Sequence, residues 1–205
     1  MDINLKSHWN RIYEAKASQE LTWAEEVPAT SLEFIHSFEL AKTARIIDVG
    51  GGDSKLVDHL LQEGYTNLNV LDISEQSLQR ARQRLGDNAK RVTWINSDIR
   101  EFRCDQPFDL WHDRAAFHFL THEEDIMSYL NMVRHCVKGY MILGTFSATG
   151  PNKCSGLPVK QYSDLQLTEQ FMEGFKKIRC VNVDHITPAK AVQNFTFCSF
   201  SRNAA

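Results

Sequence analysis

From residue 44 onward the apolar positions fall into two alternating kinds of run. Short, nearly continuous apolar stretches at 44–49, 67–72, 91–96, 108–112 and 139–146 have the length and composition of buried strands. Between them, at 54–63, 75–85 and 122–137, apolar residues recur every three or four positions, the spacing of a helix with one buried face. Leu56, Val57, Leu60 and Leu61 mark that face in the first of these helices. Strand–helix alternation with short connections predicts right-handed crossovers and a parallel sheet covered on both sides. A loop containing glycine and proline follows at 150–158, then a helical pattern at 163–174. The last two strands, 176–184 and 192–201, are separated only by Ile186-Thr187-Pro188-Ala189. That link is too short for a crossover helix, so the two are expected to pair antiparallel. The predicted fold is therefore α/β: a three-layer sandwich around a seven-stranded, mostly parallel sheet with one antiparallel strand near its edge.

The first 43 residues precede this alternation and read as helical. His8, Trp9, Ile12 and Tyr13 recur at helical spacing, and Thr30 or Ser31 is placed to cap a second helix over 31–41. The whole chain, 1–205, is read as one domain, with 1–43 as a helical segment set on a core of 44–205. Charge changes the picture little. With 23 basic and 26 acidic residues the net charge is −3, which argues against the basic face that nucleic acid requires. No apolar run approaches the roughly 20 residues of a membrane span. The opening Met-Asp-Ile-Asn-Leu-Lys lacks the apolar stretch of a secretory signal. A cytoplasmic protein with neither membrane nor nucleic-acid partner is expected. The five cysteines (104, 136, 154, 180 and 198) are odd in number and show no CxxC spacing. They read as reduced thiols, with no disulfide framework and no metal site.

The chemistry concentrates where the first strand ends. Ile46-Ile47-Asp48-Val49 runs into Gly50-Gly51-Gly52, and the helical pattern follows. A strand, a tight turn and a helix N-terminus leave backbone N–H groups free for a nucleoside-bearing ligand. Asp72 closes the second strand 20 positions after Gly52, the place of an acidic residue that accepts from ribose hydroxyls. A dinucleotide is the rival ligand. Its G-x-G-x-x-G turn needs a third glycine for close helix packing, and Lys55 stands there instead. A Walker-A ending is absent as well. The loop therefore suits a nucleoside ligand without a pyrophosphate.

Asp48-x-Gly50-x-Gly52, Asp72 after the second strand and Asp98-Ile99 after the third resemble the class I S-adenosylmethionine-dependent methyltransferases, and the likeness runs over nearly the whole chain. It implies a Rossmann-like sandwich and S-adenosylmethionine as cofactor. It implies further that Gly50, Gly51 and Gly52 let the backbone approach the methionine part beside Asp48. Asp72 then binds the ribose, Ile73 and Ile99 flank the adenine, and Asp98 holds the adenine amino group. In similar enzymes the N-terminal segment lies over the cofactor as a lid, so Trp9, Tyr13 and Trp23 are placed to cover the sulfonium by cation–π attraction. The chain departs from the family at Ser54, where glycine is common, and at Lys138-Gly139-Tyr140, where a Pro-Gly-Gly turn is common. Neither change removes a side-chain ligand. Residues 111–121 (Trp-His-Asp-Arg-Ala-Ala-Phe-His-Phe-Leu-Thr) and 150–159 (Gly-Pro-Asn-Lys-Cys-Ser-Gly-Leu-Pro-Val) are similar to a methyltransferase subgroup with no assigned substrate.

His112, Asp113 and Arg114 end the fourth strand at the carboxyl edge, where open α/β sheets bind ligands. Contact with cofactor or substrate is weighed there against an internal Asp–Arg pair. His112 and Asp113 are the candidate bases, needed only for a protonated acceptor, and His112 is also a cofactor-binding candidate. His118, amid Phe117, Phe119 and Leu120, reads as a core histidine. Cys154 reads as structural or substrate-lining, because methyl transfer needs no enzyme nucleophile. The fourth strand is not followed by Asn/Asp-Pro-Pro-aromatic, which counts against adenine methylation in nucleic acid. A small-molecule acceptor is expected, with information for it in residues 1–30, 112–122 and 147–160. A protein lysine acceptor, a cofactor-binding protein without turnover, and a nicotinamide-dependent oxidoreductase are the alternatives.

Overall fold

In the computed structural model, which describes residues 4–203, the chain opens with α1 (Leu5–Ala15). Asn4 caps it, its side-chain oxygen accepting from the Ser7 N–H at 2.9 Å. A strap, residues 16–28, leads to α2 (Ala29–His36). The second helix thus starts just after Pro28 and stops short of the predicted residue 41, and the strap replaces part of the expected helical lead. Then come β1 (Arg45–Val49), α3 (Leu56–Gln62), β2 (Asn67–Asp72), α4 (Glu75–Leu85), β3 (Val92–Asn96), β4 (Phe108–Arg114), α5 (Glu123–Cys136) and β5 (Val137–Phe146). The predicted loop at 150–158 folds into a small hairpin of β6 (Lys153–Cys154) and β7 (Leu157–Pro158). After α6 (Asp164–Phe171), β8 (Phe175–Ile186) and β9 (Val192–Arg202) complete the fold.

The seven long strands make one sheet in the order β3-β2-β1-β4-β5-β9-β8. The contacts among β1 to β5 are parallel, while β9 runs antiparallel to both of its neighbours. This is the expected seven-stranded sandwich with one reversed strand beside the edge. Two apolar cores cover its faces. One packs Ile47, Trp111, Met141 and Phe200 under α5 and α6, and the other packs Ile46, Leu110 and Ile142 under α2, α3 and α4. Strand order reverses between β1 and β4, so the carboxyl ends of these two strands diverge and leave a crevice.

The cysteine expectation needs correction. Cys104 is bonded to Cys136 and Cys180 to Cys198, and Cys154 alone is free. The partners are 32 and 18 residues apart and meet only through the fold. Cys180 and Cys198 face each other across the β8–β9 ladder, while Cys104 reaches the end of α5. No local spacing encodes either bond. With them, the cysteines no longer argue for a reducing compartment. Among the described residues, no helix is long and apolar enough to cross a membrane.

Candidate functional site

A cavity of about 860 Å³ lies at the carboxyl ends of β1 to β5, beneath the strap. That is near the upper end of the roughly 300–1,000 Å³ found for small-molecule sites. Its wall includes Asp48, Gly50 and Gly51 after β1, Asp72 and Ile73 after β2, Asp98 and Ile99 after β3, and His112 and Arg114 on β4. Trp9, Tyr13 and Trp23 close it from the N-terminal side. Trp9 meets Trp23 edge-on at 5.8 Å and Phe119 at 5.1 Å. Two sequence candidates are not on this wall: Gly52 and Asp113.

The glycine turn has no room for side chains. Gly50 takes φ +67°, and a Cβ there would sit 3.0 Å from that of Ala116. At Gly51 a Cβ would lie 2.5 Å from Asp48 Oδ2. At Gly52 it would collide with the Asp72 carboxylate and lie 2.7 Å from Ser77 Oγ. Gly52 thus serves the site indirectly, by leaving space for Asp72. Lys55, where a third glycine would stand, is ion-paired with Glu26 of the strap.

Asp72 is buried, and its Oδ1 accepts from the Ser74 N–H at 2.8 Å. Burial pushes its carboxyl up to about 7, against the hydrogen bonds from Ser74, Ser77 and Gly52 that favour the ionised form. Asp98 differs. Burial acts to raise it too, but Arg100 hydrogen-bonds both oxygens, with Nη2 at 2.6 Å from Oδ2, and holds the carboxyl below its usual range. An adenine amino group at Asp98 has to compete with Arg100.

His112 lies between two partners. Its Nδ1 is 2.7 Å from Asp48 Oδ1 and its Nε2 is 2.9 Å from Ser31 Oγ. A carboxylate only accepts, so Nδ1 donates to Asp48 and Nε2 accepts the Ser31 hydroxyl hydrogen. Asp48 Oδ2 is buried with no hydrogen-bond partner in the protein.

Asp113 faces the other way, because successive side chains on a strand point to opposite faces of the sheet. Its Oδ1 accepts from the N–H groups of Ala116 and Phe117, and its Oδ2 accepts from Tyr129 Oη at 2.7 Å. Burial raises its carboxyl to about 6, and these bonds oppose the rise. The candidate base Asp113 is thereby corrected to an anchor for the turn after β4. Nor does it pair with Arg114, whose Nη2 approaches Glu25 of the strap. His118 is fully buried and accepts the Phe146 N–H at Nδ1, and desolvation drops its pKa to about 3. It is a neutral core histidine.

The strap is fixed at both ends. Ser18 bonds to Asp53, His59 Nε2 donates to the Glu26 carbonyl at 3.1 Å, and His185 Nε2 donates to the Thr22 carbonyl at 2.7 Å. Beyond the strands, Cys154, Leu157 and Pro158 of the hairpin join Pro188, Gln193 and Phe195 of the β8–β9 end on the wall. Neither Ser31 nor the β8–β9 residues were legible as site residues. Among the described residues, no group of three or more His, Cys, Asp or Glu side chains is arranged to hold a metal ion.

Residues 46–139 match the model of a methyltransferase domain family. Over 103 residues the chain is 31% identical to malonyl-[acyl-carrier protein] O-methyltransferase of Anoxybacillus flavithermus, covering 49% of this chain and 38% of that one. It is 25% identical over 119 residues to the ubiquinone biosynthesis O-methyltransferase of Rickettsia felis, covering 57% of this chain and 47% of the relative. The chain thus spans less than half the length of these two curated relatives. A solved structure, a SAM-dependent methyltransferase from Anabaena variabilis, superposes with a TM-score of 0.75 at 14% identity, over 98% of this chain and 96% of that one.

Proposed function

We propose that the chain is a class I S-adenosylmethionine-dependent methyltransferase that moves a methyl group from this cofactor to a small-molecule acceptor by in-line displacement. The observation that carries the reading is the single cavity shared by the glycine turn, Asp48, Asp72, Asp98 and His112 under an aromatic cover. It fits the cofactor at two points. The turn admits backbone approach because no Cβ fits at Gly51. Asp48 Oδ2, buried and unpartnered, is an acceptor suited to an ammonium group.

When bound, S-adenosylmethionine supplies a methyl group made electrophilic by a positively charged sulfur. The protein's residues do the rest. Asp72 accepts from the ribose hydroxyls, and each such bond favours its ionised form. Ile73 and Ile99 flank the adenine, and Asp98 takes its amino group in exchange for a contact with Arg100. Trp9, Tyr13 and Trp23 exclude water and face the positive charge with ring systems. Positioning in a dry site supplies roughly 7–11 kcal/mol of barrier lowering in well-aligned systems. For a hydroxyl or ammonium acceptor, His112 Nε2 takes the proton once Ser31 yields its place, and Asp48 stabilises the resulting imidazolium. The strap over the cavity supports a small acceptor over a side chain on an intact protein surface.

A screen with methyl-labelled S-adenosylmethionine over small hydroxy, carboxy, thiol and amino compounds and lysine peptides tests this. Label is expected on a small molecule and not on the peptides. Label on lysine peptides alone contradicts the acceptor class. Absence of transfer to anything, with cofactor binding intact, favours a binding protein without turnover.

A further inference from the structure

At the acceptor end of the cavity stands a cation that the cofactor reading leaves unused. Arg114 ends β4, and its side chain is only 13% exposed on the cavity wall. Burial in apolar surroundings pulls its pKa below the usual range. The guanidinium lies 5.1 Å from the centre of the Phe195 ring. Phe119, Phe146, Leu157 and Pro188 are part of the same wall.

Its hydrogen bonding is incomplete. Nη1 donates to the Trp23 carbonyl at 3.0 Å. Nε and Nη2 are shut off from solvent and have no hydrogen-bond acceptor. Glu25 Oε1 lies 3.1 Å from Nη2, an ion-pair distance without an aligned N–H. The same oxygen lies 3.2 Å from His185 Nδ1. Burial opposes the charge on Glu25, but His185 and Arg114 outweigh it and hold the carboxyl below its usual range. A guanidinium offers five donors in a planar fork matched to a carboxylate. Leaving most of them unmet in a buried site is costly, and native proteins rarely do so without a ligand or water. Glu25 balances the charge but does not fill the fork, and it sits on a strap that is not part of the sheet.

We infer that Arg114 is the anion-recognising group of the acceptor site: it receives a carboxylate on an apolar, aromatic-sized body, and Glu25 holds that place until the ligand displaces it toward His185. The word acceptor rests on the methyltransferase reading; the anion site itself does not. The aromatic and proline wall takes the apolar body, and the Nε–Nη2 edge takes both carboxylate oxygens.

The test is calorimetry on the full chain with S-adenosylhomocysteine bound, titrating benzoate and phenylacetate against the uncharged benzamide and phenylacetamide. The acids are expected to bind at least 10-fold more tightly than the amides. Arg114→Met is expected to lose that margin, because the charge-assisted hydrogen bonds to the acid go with the guanidinium, while its S-adenosylhomocysteine affinity stays within about threefold of wild type. Glu25→Gln removes the competing carboxylate and is expected to tighten benzoate binding severalfold, an arm that stands even if Arg114→Met does not fold. Equal binding of acids and amides, or weaker benzoate binding by Glu25→Gln, overturns the proposal. So does an equal loss of S-adenosylhomocysteine affinity in Arg114→Met, which would assign the fork to the cofactor's own carboxylate. If S-adenosylhomocysteine fails to bind wild type at all, the methyltransferase reading falls, and the same acid titrations on the free protein still decide the anion site.

Discussion

Asp72→Ala is expected to weaken S-adenosylhomocysteine binding about 100-fold or more, the largest binding effect of any single substitution in the cofactor lobe. Two hydroxyl hydrogen bonds to one carboxylate, at roughly 1.5–3 kcal/mol each, account for that magnitude. The loss is separable from stability. Asp72 is buried with its carboxyl raised to about 7, well above the value of about 4 in an unfolded chain. The folded state therefore holds more protons between about pH 4 and 7, and this group's contribution to stability falls as pH rises through that window. At pH 8 the ionised carboxylate is a burden on the free protein, so Asp72→Asn is expected to melt no lower than wild type while still losing affinity. Binding has the opposite sign. Ribose hydroxyls favour the ionised form, so wild-type affinity should rise as pH increases from 6 to 8, with proton release, and Asp72→Asn should lose that dependence. Unchanged affinity in either variant, by calorimetry, shows that the ribose lies elsewhere.

His112→Gln is expected to lower kcat by 10²- to 10⁴-fold for an acceptor that must give up a proton, the usual range for losing a positioned base. Glutamine is similar in reach and retains hydrogen-bonding groups toward Asp48 and Ser31, so S-adenosylhomocysteine affinity should stay within about threefold. The hydrogen bond that His112 Nδ1 donates to Asp48 at 2.7 Å fixes the ring's tautomer, and the Ser31 contact at 2.9 Å occupies Nε2 at rest. Loss of the acidic limb of the pH–rate profile, the rise in rate as the imidazole loses its proton, accompanies removal of a true base. A drop in kcat with an unaltered profile, or no drop at all, leaves His112 as a packing residue.

How far the chain can be read without its structure depends on the range of the interactions involved. The strand ladder was legible because buried parallel strands are continuous apolar runs and crossovers need helices between them. β2 and α4 fall where the periodicity puts them, at 67–72 and 75–85. The reversed β9 followed from a link too short for a helix. The cavity wall was legible for a related reason: Asp48, the glycine turn, Asp72 and Asp98 lie at or just after the carboxyl ends of parallel strands, which the fold brings to one edge. What failed was long-range or face-dependent. His112 and Asp113 are adjacent in sequence, yet alternation sends one to the cavity and the other to Tyr129. Strand parity alone predicts that split, given which neighbour faces α5. The two disulfides and the Glu25–Arg114–His185 contact join elements 18 to 160 residues apart, and no local pattern encodes them. Ser31 lies 81 residues from the histidine it meets. The short hairpin at 153–158 has only two residues per strand, below the length at which periodicity is readable.

Everything proposed for this chain depends on the crevice between β1 and β4 binding S-adenosylmethionine and not a dinucleotide. Parallel calorimetric titration of the full chain with S-adenosylhomocysteine and with NAD tests it most directly. Saturable one-to-one binding of S-adenosylhomocysteine and no heat from NAD are expected; tight NAD binding with no response to S-adenosylhomocysteine would overturn the assignment.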